Sequence, residues 1–249
     1  MTDKKSSIGY SQTLGSRSNQ EDYIKVRVDI SSKNEDRYLM VVADGMGGYA
    51  GGDLASELAA EAFTSNYYFD RYQIPNNLSY ALTESNKKIA DEIILKPSLR
   101  GMGTTIIAAS IFDGTLSWVS VGDSVLWLFR DGNMQRLNDD HSMLPILSTE
   151  LSGRALENHP QRHQLRSVLN GSKIKIINLT TTAFHLQKDD FVLIASDGVL
   201  SLGVATIEQI ITFYSKHSPQ QIADEITRKI ASLQKPGQDN SSIAIYRHK

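Results

Sequence analysis

Four aspartates in this chain stand where a carboxylate is costly. Asp44 closes the apolar run Tyr38-Leu39-Met40-Val41-Val42-Ala43 and precedes Gly45. Asp123 follows the stretch Leu116 to Val121, in Val121-Gly122-Asp123-Ser124. Asp197 ends the stretch Phe191 to Ser196 and precedes Gly198, and Asp239 sits in Gly237-Gln238-Asp239-Asn240, just before the last apolar stretch. A carboxylate at the end of an apolar strand loses hydration unless something pairs with it. A flanking glycine lets backbone, solvent or a ligand come close. None of these motifs carries a Lys or Arg of its own, so divalent cations are the natural neutralisers, and all-oxygen ligation points to Mg²⁺ or Mn²⁺. Any one Asp-Gly on its own reads as a turn; the recurrence of strand-end placement is what marks the set. Arg17-Ser18-Asn19-Gln20-Glu21-Asp22 adds a guanidinium fork suited to phosphate oxygens and two further carboxylates.

These residues need a scaffold, and the patterning predicts one. Tyr23 to Ile30 alternates with period two as a half-buried strand, and Tyr38 to Ala43 reads as a strand buried on both faces. Helices are expected from Asp53 to about Tyr68 and from about Asn77 to Leu95, where apolar residues recur at three- and four-residue steps. Strands follow at Thr104 to Phe112, Leu116 to Val121, Val125 to Arg130 and Met134 to Leu137, with hairpin turns at Asp113-Gly114 and Asp131-Gly132. Asn138 to about Gly171 loses periodicity and is expected to be a long surface excursion with one short helix. Strands at Lys173 to Leu179, Asp190 to Ser196 and Ser242 to Arg247 frame two closing helices, for which Thr206-Ile207-Glu208-Gln209 and Ser218-Pro219-Gln220-Gln221 offer capping boxes. Helices grouped between blocks of antiparallel hairpins imply α+β layering in one domain over residues 8–249, after a frayed 1–7.

Composition narrows the function. With 26 Lys+Arg against 28 Asp+Glu in 249 residues the net charge is −2, which disfavours a sequence-independent nucleic-acid binder. The apolar runs are far shorter than the roughly 20 residues that span a bilayer, and Met1 to Gly15 lacks the apolar segment of a signal peptide. Zero cysteines remove disulfides, thiolate zinc sites and a Cys nucleophile. A cytoplasmic protein whose metal ligands are oxygen or imidazole is expected. Gly45-x-Gly47-x-x-Ala50 imitates a dinucleotide fingerprint, but the distance at which an acidic strand end should follow falls inside a predicted helix.

The chain resembles the metal-dependent protein phosphatases called protein phosphatase 2C, in their bacterial form. The resemblance lies in Arg17-x-x-Gln20-Glu21-Asp22, Ala43-Asp44-Gly45-Met46-Gly47-Gly48, Gly101-Met102-Gly103-Thr104-Thr105, Val121-Gly122-Asp123-Ser124, Asp139-Asp140-His141-Ser142, Ala195-Ser196-Asp197-Gly198 and Asp239-Asn240, in the family's order. It implies a central antiparallel β-sandwich flanked by helical layers, with residues 138–171 as a flap beside the active site. It further implies that Asp44 bridges two Mn²⁺ or Mg²⁺ ions, with the Gly45 carbonyl on the second. Asp197 and Asp239 would complete the ligands of the first ion, and Glu21 and Asp22 would hold metal-bound waters or touch a metal. Arg17 would grip the substrate phosphate, and Asp123 would support a weaker third ion. The implied reaction is hydrolysis of phosphoserine and phosphothreonine on proteins by a hydroxide bridging the ions, in a monomer opposing a serine/threonine kinase. Val125 and Ser201 depart from the pattern near the third ion, Gln20 replaces a common Asn, and Met46 stands where some members carry a proton-donating His. The leaving-group acid is left to metal-bound water or, less readily, His141. The alternatives are a silent phosphoprotein-binding member of the same fold and a phosphatase of small phosphoesters.

Overall fold

The computed structural model describes residues 7–30, 36–46, 51–70, 73–182 and 184–249. Two antiparallel sheets face each other. The first runs β1 (Ile8–Thr13), β12 (Ser241–Arg247), β11 (Phe191–Ala195), β7 (Val125–Arg130), β8 (Asn133–Arg136). The second runs β10 (Phe184–His185), β6 (Thr115–Val121), β5 (Ile106–Phe112), β3 (Asp36–Met46), β2 (Asp22–Ile30). β4 (Gly103–Thr104) pairs with β3, and β9 (Asn178–Leu179) with β6.

The period of two in a strand explains the layering. Along β3, Tyr38, Met40 and Val42 pack against Leu126, Leu128, Val192, Ile194 and Ala244 of the opposite sheet. The alternate residues Leu39, Val41 and Ala43 pack outward against α1 (Gly52–Asn66) and α2 (Ile74–Leu95) through Ala55, Ala59, Phe63, Leu78 and Leu82. The other sheet does the same: Leu193, Ala195, Ile243 and Ile245 meet Ile207 and Ile211 of α5 (Val204–Phe213) and Ile222, Ile226 and Ile230 of α6 (Pro219–Ser232). The result is the expected α+β order of helices, sheet, sheet, helices. The unbroken apolar run of β3 is thus a strand with two dry faces. The hairpin turns also hold, with Asp113, Gly114, Asp131 and Gly132 all at positive φ.

Several expectations are corrected. β1 carries no clear alternation, and its strand identity comes from pairing along β12, Ile8 opposite Tyr246 through Thr13 opposite Ser241. Its exposed edge is covered by α6, whose Gln220 side chain accepts from Tyr10 N–H and donates to Tyr10 C=O. Thr104 to Phe112 is two strands in one register against β3, interrupted at Thr105 because the Asp44 N–H donates to the Thr105 side-chain Oγ1 rather than to its carbonyl. Lys173 to Leu179 is a strand only at its last two residues: the Ile176 N–H and C=O are both taken by the Ser167 hydroxyl, a local bond that competes with the ladder. Thr206 is no cap. α5 begins at Val204 with Gly203 before it, and Glu208 instead accepts from Met134 N–H, tying α5 to β8. Ser218 does close the predicted capping box on α6, with Pro219 in the first turn. α2 starts at Ile74 rather than Asn77, and the irregular 138–171 stretch holds two short helices, α3 (Leu144–Glu150) and α4 (Gly153–Glu157), rather than one. Residues 1–6 of the expected frayed segment lie outside the described residues, and Ser7 is buried.

The contact between β1 and α6 is close enough to require glycine at position 9, where an added Cβ would stand 2.1 Å from the Gln220 backbone nitrogen. Gly9→Ala is expected to lower stability by about 1–3 kcal/mol, read as a reduced urea midpoint at unchanged m value. An unchanged midpoint would show that α6 yields freely there.

Candidate active site

The strand ends at one edge of the sandwich bring the predicted residues together. In the β2–β3 register Asp22 lies directly opposite Asp44. Asp44 is secured by its neighbours: its N–H donates to Thr105 Oγ1 and its carbonyl accepts from both Thr105 N–H and Thr104 Oγ1. Gly45 must be glycine, since a Cβ there would lie 2.2 Å from the Gly52 carbonyl and 2.5 Å from that of Glu21. Asp197 opens a short 3₁₀ turn (Asp197–Leu202) directly after β11. Gly198 beside it packs against the Asn240 carbonyl with no room for a side chain.

A cavity of about 310 Å³ results, and seven of the eight predicted residues line it: Arg17, Glu21, Asp44, Gly45, Asp123, Asp197 and Asp239. Asp22 lies behind its wall, 4% exposed, accepting from Ser196 Oγ at 2.7 Å and from Ser242. Arg17 reaches across to Asp239 with Nη2 to Oδ2 at 2.8 Å, while both side chains stay about half exposed.

Burial and mutual repulsion dominate the electrostatics. Burial, then the charges of Asp22, Asp197, Asp123 and Asp239, raise the Asp44 carboxyl well above its ordinary value. Burial lifts Asp22 to about 6 against the hydrogen bonds from Ser196 and Ser242, and lifts Asp123 to about 7 with help from Asp197 and Asp140. Asp197 is raised by burial and by Asp239, with His163, a hydrogen bond to the Asp44 carboxyl and Arg17 opposing. Glu21 is raised by burial and by Asp53, against the pull of Arg17. A set of acids that hold their protons this way lacks counter-charge. Its all-oxygen character fits hard divalent cations. Among the described residues no three His, Asp or Glu side chains already converge as a cage, so charge rather than a preformed coordination sphere favours cations.

Three residues hold more of the site than their motifs disclosed. Asn240 ties the Arg17 segment to β12: its Oδ1 accepts from Glu21 N–H and its Nδ2 donates to the carbonyls of Leu14 and Asn19. His141 lies behind the cavity and clamps the turn that carries Asp123. Its N–H donates to the Gly122 carbonyl, and its Nδ1 accepts from Gly122 N–H at 3.1 Å. It is a loop-ordering residue rather than a proton donor to the cavity. His163, which no spacing signalled, lines the cavity near Asp197. Of the departures, Val125 is buried in the sheet opposite Ala195 and Ser201 accepts from Gln238 Nε2, so neither brings charge. Gln20 accepts from Asp22 N–H, and Met46 lines the cavity with no group that could give a proton.

The family sequence model of Protein phosphatase 2C matches residues 11–229. The chain belongs to the protein phosphatase 2C family. Among its relatives, the serine/threonine phosphatase stp of Listeria innocua is 31% identical over 222 residues, covering 86% of each chain. The Mycobacterium tuberculosis serine/threonine phosphatase PstP/Ppp superposes with a TM-score of 0.81 at 26% identity, over 97% of this chain and 98% of that one. A second structure, the catalytic domain of PstP in complex with two manganese ions, superposes with a TM-score of 0.78 at 25% identity, over 97% and 98% of the two chains. The protein phosphatase 2C fold therefore accounts for the layering and for the place of the acidic cavity at its edge.

The raised carboxyls make stability depend on pH. A carboxyl raised on folding keeps its proton in the folded state after the unfolded chain has lost it. The metal-free protein therefore loses stability as pH climbs from the ordinary 3.8 through about 6 for Asp22 and about 7 for Asp123. Its melting temperature is expected to fall by roughly 5 °C or more between about pH 5 and about pH 8. Asp22→Asn should flatten that fall. A flat profile in the wild type would show that these carboxyls are ionised without cost.

Proposed function

We propose that this chain is a metal-dependent serine/threonine protein phosphatase that hydrolyses phosphoserine and phosphothreonine on proteins. One observation carries the reading: buried, mutually repelling carboxylates gather around a single cavity with one guanidinium at its mouth. Negative donors without cations of their own suit two Mn²⁺ or Mg²⁺ ions, and the manganese-bound PstP structure supports the same number and kind. When bound, such ions supply a water acidic enough to attack phosphorus near neutral pH and offset charge on the phosphoryl oxygens.

The chain's own residues then divide the work. Asp44 would bridge the two ions, and the Gly45 carbonyl would hold the second. Asp197 and Asp239 would complete the first ion's protein ligands, and Asp22 and Glu21 would orient metal-bound water or touch a metal. Asp123 would support a weaker third ion, to which Val125 and Ser201 add no carboxylate. Arg17 turns from Asp239 to the substrate phosphate, where its fork matches two oxygens and positions the phosphorus for in-line attack. Residues 8–249 act as one catalytic domain with 138–171 as its flap. Among the described residues no helix is long and apolar enough to cross a membrane. We place the protein in the cytoplasm as a monomer opposing a serine/threonine kinase, with no nucleic-acid partner.

Phosphate release from a phosphothreonine peptide, with Mn²⁺, with Mg²⁺ and with EDTA, tests this. Turnover should require the metal and fall more than about 100-fold in Asp197→Ala. Arg17→Ala should cost about 10- to 100-fold in kcat/KM as a charged hydrogen bond to phosphate is lost. Folded wild type that turns over nothing under either metal would favour the silent phosphoprotein-binding member. Turnover of a generic ester without peptide turnover would favour a small-molecule phosphatase.

A further inference from the structure

A larger cleft of about 570 Å³ opens off the catalytic cavity and shares Arg17, Asp123, Asp197 and Asp239 with it. Its walls come from three places: the flap with Leu144 and Arg162, the 3₁₀ turn with Leu200 and Ser201, and the loop between α6 and β12 with Lys235 and Pro236. The volume lies within the roughly 300–1,000 Å³ typical of ligand sites, and it is more than the phosphorylated side chain in the adjoining cavity needs.

The charges of this cleft do not cancel internally. Of its acids, Asp239 pairs with Arg17 and Asp140 pairs with Arg136, while Asp123 and Asp197 belong to the set that awaits cations. Two bases remain. Lys235 Nζ donates to the Ser201 carbonyl at 2.9 Å and Arg162 Nη1 to the Glu157 carbonyl at 2.6 Å, and neither meets a carboxylate among the described residues. Both side chains are thus held in place by main-chain oxygens with their charge unspent. The same lining carries apolar surface from Leu144, Pro236 and Leu200, the last 41% exposed. Gln238, 6% exposed on the same wall, gives Nε2 to Ser201 while its Oε1 has no partner among the described residues.

We propose that this cleft seats the polypeptide flanking the phosphorylated residue and selects substrates whose flanking side chains are acidic. The inference rests on the phosphatase reading above and adds the substrate class. Chain atoms lie along the apolar surface of Leu144, Leu200 and Pro236, and Asp or Glu side chains reach Lys235 and Arg162. Complementary charge at such a rim acts mainly on encounter and binding rather than on the chemical step.

The test uses two phosphothreonine peptides of equal length, one with Glu and one with Lys on both flanks, and the Mn²⁺-loaded full chain. The readout is the ratio of their kcat/KM values, which cancels any general loss of activity in a variant. Wild type should favour the Glu peptide by about three- to tenfold, expressed in KM and shrinking as salt rises. Lys235→Gln should bring the ratio toward one, and Lys235→Glu or Arg162→Glu should push it toward the Lys peptide. A wild-type ratio of one, or a ratio that the charge reversals leave unmoved, overturns the proposal, while metal-dependent turnover of both phosphothreonine peptides leaves the phosphatase reading intact. Folded, Mn²⁺-loaded protein that cleaves no phosphoester would overturn both.

Discussion

Repulsion among buried carboxylates is the constraint around which this molecule is arranged. Asp22, Asp44, Asp123 and Asp197 come from different elements of the chain, each raised in pKa first by burial and then by at least one neighbouring carboxylate. Left to themselves they would part or stay protonated. The sandwich prevents the first outcome by rooting acids at the ends of strands buried in a double-faced core, as Asp44 is rooted by β3 and Asp197 by β11. A divalent cation removes the second. The stability sacrificed in holding these charges together becomes affinity for the ions, a familiar exchange between stability and function.

Uncharged groups do most of the local holding. Thr104 and Thr105 fix the Asp44 backbone, Ser196 and Ser242 hydrogen-bond the Asp22 carboxylate, and Asn240 spans the segments that carry Arg17 and Glu21. Hydroxyls and amides can satisfy these groups without adding charge that would compete with a bound cation. Arg17 is the exception, and its ion pair with Asp239 is exposed enough to exchange for a phosphate at little cost.

The irregular segment 138–171 is tied to the same residues. His141 grips Gly122, next to Asp123, and its carbonyl accepts from Arg166 N–H on the segment's return path. Leu169 at the far end exchanges backbone hydrogen bonds with Thr104, next to the residue that secures Asp44. The segment that forms one wall of the larger cleft is therefore anchored at both ends to residues beside the buried carboxylates of the cavity. The interior of the segment, irregular apart from α3 and α4, is left to shape the cleft.

Much of this was legible in the chain alone. Glycine-flanked acids at the ends of apolar runs picked out residues that the fold gathers around one cavity, and the two-residue alternation with its Asp-Gly turns picked out the hairpins, because both are local consequences of burial and backbone freedom. Tertiary contact decided the rest. β1 is a strand only because β12 lies beside it, Lys173 to Ile177 is not one because Ser167 captures Ile176, and α5 starts at Val204 with no side-chain cap. His163 enters the site, and Lys235 and Arg162 come to face one cleft, through the path of the 138–171 segment and the α6–β12 loop. No spacing of residues along the chain encodes such approaches, since they arise where separately folded surfaces meet. Local chemistry determined which groups could act, and the packing of sheet on sheet determined which of them act together.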